Sequence, residues 1–143
     1  MNPAQKQSLE VGLTLIEEGL LEIEGWLTET PRQGRLVRTL SDLSPHLRRE
    51  LREGIQAASA LLARLAEVLG LDPRVRSITD LTFGRLPVLW QIARECRAQN
   101  LRGYGPVPPD LPAALDPIVD ALSELLWGLF RLVAAERGPA PAR

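Results

Sequence analysis

Residues 111–137 read LPAALDPIVDALSELLWGLFRLVAAER, and this stretch decides the fold class. Leu111, Leu115, Ile118, Leu122, Leu125, Leu129 and Leu132 step alternately by four and three, the period of one face of an α-helix. A parallel line of Val119, Leu126 and Val133 widens the face beyond what one neighbouring helix covers. The helix, starting near Asp110 or Leu111, is therefore expected to lie centrally or at an interface.

Three more helical patterns precede it. Asn2 and Pro3 are a good cap and first residue for a helix running to about Glu29. Its seam is Leu9, Leu13, Ile16, Leu20, Ile23 and Leu27. Gly12, Gly19 and Trp26 form a second line at spacing seven. Interior glycines cost ~1 kcal/mol each against alanine, so close approach of another helix is expected there. Ser44 and Pro45 open a second helix, which carries Leu47, Leu51, Ile55, Ala58, Leu62, Leu65 and Leu69 and stops at Gly70.

Asp72 and Pro73 repeat the cap-plus-proline signature, so a third helix is expected after a two-residue link. Pro87 lies inside it and removes a backbone donor, which predicts a kink or break. Gly103 is the expected left-handed cap before Pro106, Pro108 and Pro109. Leu36, Val37, Leu40 and Leu43 are too apolar for a free loop and predict a short helical turn between the first two helices.

Together these patterns predict an all-α, up-down-up-down four-helix bundle. It forms one domain over residues 1–137, with an extra helical turn in the first connection, a kink or break near Pro87 and a disordered tail at 138–143. The composition agrees: 27 of the 143 residues are leucine and 4% are aromatic, too few aromatic and β-branched side chains for an all-β fold.

Counting excludes much chemistry. His46 is the one histidine and Cys96 the one cysteine, so zinc, haem and di-iron sites lack their ligands. His46 is expected to be exposed. Cys96 falls on an apolar stripe with Leu89 and Ala93 and is expected to be a buried, inert thiol. No catalytic residue, cofactor or metal site is expected. Asp116, Asp120 and Glu124 share one helix face, and Glu17, Glu18, Glu22 and Glu24 crowd another. Converging acids could hold Mg²⁺, which makes a Mg-dependent all-α nucleotide pyrophosphohydrolase a distant alternative. The acids here are spaced by four, whereas that chemistry uses pairs spaced by three. An acidic face paired with arginines is the simpler expectation.

A lone thiol fits a reducing compartment. Glu10, Glu17 and Glu18 interrupt any apolar targeting run, and the longest uncharged helical run, Gly54 to Ala63, falls short of the ~20 residues a membrane span needs. A cytoplasmic protein without a membrane role is expected.

The net charge of −1 conceals an arginine-rich middle between acidic ends. Arg32, Arg35, Arg38, Arg48, Arg49 and Arg52 form a candidate nucleic-acid patch, since guanidinium groups suit phosphates. No aromatic residue accompanies them, and the isoelectric point of about 5.9 is low for a nucleic-acid-binding domain. Gly12, Gly19, Trp26, Trp90, Val119, Leu126, Trp127 and Val133 are the candidate interface, with Trp90 and Arg94 placed for a cation–π pair. None of the tryptophans lies obviously in a seam. The expected function is protein–protein association, as a homo-oligomer (a dimer is favoured) or as a subunit or adaptor with a helical partner. A nucleic-acid-binding accessory protein is the alternative.

Overall fold

Local chemistry sets the first helix boundary. The Asn2 side chain accepts from the Gln5 backbone N–H at 2.8 Å, and the Gln5 side chain accepts in return from the Asn2 N–H at 2.9 Å. This reciprocal cap, with Pro3 behind it, opens α1, Pro3–Thr28. Ser44 caps α2, Pro45–Leu69, by accepting from Leu47 N–H at 3.1 Å. Gly70 ends α2 at φ 62°, a left-handed conformation open to glycine at no steric cost. The computed structural model describes residues 1–138. Its remaining elements are α3, Ile78–Glu95, a 3-10 helix, Ala98–Tyr104, and α4, Leu111–Arg137. The fold is all-α, and the chain groups into two compact units, Met1–Pro73 and Arg74–Arg143. Apart from Gly138, the tail expected at 138–143 lies outside the described residues.

In the first unit α2 packs on α1, with Leu27 and Ile55 the buried side chains. Arg48 and Arg52 reach back from α2 and both donate to the Leu27 carbonyl, at 2.6 and 2.9 Å. That carbonyl belongs to the last turn of α1, where the intrahelical donors run out and the helix dipole is negative. The connection between α1 and α2 is not helical. Gln33 and Arg38 form an isolated antiparallel bridge, Gly34 N–H donates to Val37 O at 2.8 Å, and the Gln33 side chain donates to Thr39 O at 2.8 Å. The expected helical turn is thus replaced by a tight reversal between Gln33 and Arg38.

The second unit is an antiparallel hairpin. Contacts run from Asp80 with Arg137, through Phe83 with Phe130 and Trp90 with Trp127, to Arg97 with Asp116 and Asp120. The register stays nearly constant along the full length of both helices. Leu86, Ala93, Ala98, Val119 and Ser123 are buried here, and the Ser123 hydroxyl donates to Val119 O at 2.8 Å.

Three expectations about this half are corrected. α3 begins at Ile78, capped by Ser77, and not at Pro73. Asp72 and Pro73 fall in an extended link instead. Of the kink or break expected at Pro87, the break does not occur: α3 is continuous through it. An interior proline costs ~3 kcal/mol, but ring contacts on both sides of it, at Phe83 and Trp90, hold the helix on α4. After Glu95 the chain turns into the 3-10 helix, and the positive-φ glycine that follows is Gly105, φ 138°, not Gly103. α4 tolerates Pro117 in its interior as well.

Candidate interaction surfaces

Helix α4 carries two apolar lines, and tertiary packing chooses between them. Val119 is buried in the hairpin, and Leu126 and Val133 are half-buried. Trp127, though 39% exposed, meets Trp90 in a tilted pair at 5.4 Å between centroids and stacks on Phe130 at 5.0 Å. The more regular leucine line faces outward. Ile118, Leu125 and Leu132 are 70%, 69% and 69% exposed, and Leu122 and Leu129 are each 49% exposed. Five of the eight candidate interface residues therefore lie in the α3–α4 seam: Trp90, Val119, Leu126, Trp127 and Val133. The tryptophans expected outside a seam include the two that build this one. Their signal was the placement of Phe83 and Trp90 on one α3 face, opposite Trp127 and Phe130.

On α1, Trp26 stays 65% exposed, with Leu15, Ile16 and Leu21 also exposed. A Cβ added at Gly12 or Gly19 would meet nothing within 4 Å, so no neighbour among the described residues makes the close approach expected there.

The arginine patch divides into two sets. Arg48 and Arg52 are engaged at the end of α1, and Arg48 also donates to Ser41 Oγ at 2.7 Å. Arg32, Arg35, Arg38 and Arg49 are exposed, beside exposed Leu36, Val37 and Leu40. Replacing Arg48 and Arg52 together with alanine is expected to destabilise the first unit by about 2–3 kcal/mol, because charged donors leave a part-buried carbonyl. Replacing Arg32, Arg35 and Arg38 together is expected to change stability by less than ~0.5 kcal/mol. Urea unfolding of the two triple- and double-substituted chains compares them directly.

The acids of α4 serve the hairpin. Asp116 accepts from Ala98 N–H at 2.9 Å at the start of the 3-10 helix, and Arg97 spans Asp116 and Asp120 at 3.6 and 3.0 Å. Arg97 Nε is buried without a hydrogen-bond partner, which limits what this tie contributes. Among the described residues no group of three or more His, Cys, Asp or Glu is arranged to hold a metal ion. His46 is exposed as expected, 3.2 Å from Glu50. Cys96 is exposed, contrary to expectation: α3 ends at Glu95, so the thiol sits at the helix end, with Sγ donating to Ile92 O at 3.4 Å. Arg94 lies 5.7 Å from the Trp90 ring centroid, the expected cation–π pair.

The described residues of the second unit include concave surface. One concavity, of about 650 Å³, is lined by Arg102, Gly105, Pro106, Val107, Pro108, Pro109 and Pro112. Another, of about 260 Å³, is lined by Ile78, Thr79, Thr82, Leu132, Val133 and Glu136. Among the described residues no helix is long and apolar enough to cross a membrane.

No family model, curated protein or solved structure matches the chain.

Proposed function

We propose that this protein works by association through helix faces and not by catalysis, as a homo-oligomer or as a subunit of a larger helical assembly. The observation that carries this reading is the outward row of Ile118, Leu122, Leu125, Leu129 and Leu132, at heptad spacing and open to water. Helix faces of this size are covered in stable proteins because apolar burial is worth ~25 cal/mol per Å². The exposed lone thiol of Cys96 fits a reducing compartment, and the cytoplasm is the location we assign.

Sedimentation of the full chain across a hundredfold range of concentration tests the reading. A dimer or larger species is expected at micromolar concentration. A monomer throughout, with no partner recovered in pull-down, sinks it. The second reading, nucleic-acid binding, draws on the exposure of Arg32, Arg35, Arg38 and Arg49. A salt titration of RNA or DNA binding separates the two: replacing Arg32, Arg35 and Arg38 together should flatten the salt slope if phosphates bind there.

A further inference from the structure

The outward face of α4 has a pattern of its own, which points to what covers it. Its most exposed large residues are Ile118, Leu125 and Leu132, at spacing seven. Interleaved with them, again at spacing seven, are Ala121, Gly128 and Ala135. Large and small side chains thus alternate along one seam. A Cβ added at Gly128 would meet nothing within 4 Å, so the chain's own packing does not require glycine there. One flank of the seam carries Leu122 and Leu129, and the other carries Glu124 and Arg131, both exposed.

We infer that this face is closed by α4 of a second copy of the chain, running antiparallel. The inference rests on the association reading above and names its partner and its surface. Reversing the helix places Ile118 against Ala135 of the second copy, Leu125 against its Gly128 and Ala121 against its Leu132. Every layer then joins a large residue to a small one, as close knobs-into-holes packing requires. The same register sets Glu124 against Arg131 of the second copy, and Arg131 against its Glu124. On the other flank it sets Leu122 against Leu129. A parallel pair does none of this: Gly128 faces Gly128 across a void, large residues meet their own copies, and Glu124 faces an apolar flank. Two-fold symmetry requires a self-complementary patch, and this one is self-complementary in size, polarity and charge only when reversed.

Cysteine pairing decides the matter, in full-length chains carrying Cys96→Ser. Ile118→Cys and Ala135→Cys chains, mixed while reduced and then oxidised, should form a mixed disulfide dimer. Neither should pair with itself, since in the antiparallel register its own counterpart lies ~25 Å away along the helix axis. Glu124→Arg alone should weaken the dimer about tenfold, and the double variant Glu124→Arg with Arg131→Glu should restore it to within about threefold, one tenfold step being ~1.4 kcal/mol. Self-pairing of the Ile118→Cys chain means a parallel dimer and overturns the inference. A chain that sediments as a dimer without any of these disulfides uses another face, which overturns the inference and leaves the association reading standing. A monomer at all concentrations overturns both.

Discussion

Phe130→Ala is expected to destabilise the α3–α4 hairpin by about 2–4 kcal/mol, the usual cost of a large aromatic truncation reduced for partial exposure. Phe130 is the hub of the ring cluster: it meets Phe83 at 4.9 Å and Trp127 at 5.0 Å, and Trp127 in turn meets Trp90 at 5.4 Å. Removing it leaves a gap that neither Trp127 nor Phe83 can close without leaving its own contact. The ring pairs add about 0.5–1.5 kcal/mol each beyond area burial. Leu129→Ala, one residue away, is expected to cost less than ~1 kcal/mol when measured on dilute, monomeric chain, because Leu129 is 49% exposed. Denaturant unfolding followed by tryptophan emission reads both, since Trp90 and Trp127 report on this cluster. Equal losses at the two positions would mean that the outward and inward lines of α4 are not distinct.

Leu27→Ala is expected to cost the Met1–Pro73 unit about 2–4 kcal/mol. Leu27 and Ile55 are its two buried side chains among the described residues, so half of that small core is removed at once. The Arg48 and Arg52 hydrogen bonds go to the Leu27 backbone carbonyl and survive the substitution in principle. The loss should therefore appear as fraying of α1 from α2, visible as faster amide exchange in the last turns of α1 with α2 protected longer. Leu15→Ala on the exposed side of α1 should leave exchange unchanged, apart from a small gain in helix propensity. Protection of α1 that is insensitive to Leu27→Ala would place its anchor elsewhere.

Legibility in the sequence followed the range of the interaction. Asn2, Ser44 with Pro45, and Gly70 mark helix ends because capping is settled within four residues. The Asp72 and Pro73 pair has the same chemistry and does not start a helix, because Ser77 offers a competing cap nearer the apolar pattern of α3. Pro87 predicts a kink or break because its cost is local, while the ring contacts that keep the helix continuous come from α4, some forty residues on. Arg48 and Arg52 resembled a phosphate patch in sequence. Their target, a carbonyl at the end of another helix, has no sequence signature.

By itself the sequence determined the all-α class, the extent of α1, α2 and α4, and the absence of the histidines and cysteines that metal chemistry would need. Periodicity does this, since a 3.6-residue repeat with capped ends allows one secondary structure. Tertiary structure alone decided which of the two lines on α4 is core. Both lines repeat at helical spacing, and the outward one is longer and richer in leucine, so nothing in the sequence marks the shorter line of Val119, Leu126 and Val133 as core. The choice came from the partner helix, where Phe83, Leu86 and Trp90 present a surface that fits Val119, Trp127 and Phe130. The better leucine ladder was left facing water, and that places the surface most worth testing on the side of α4 away from α3.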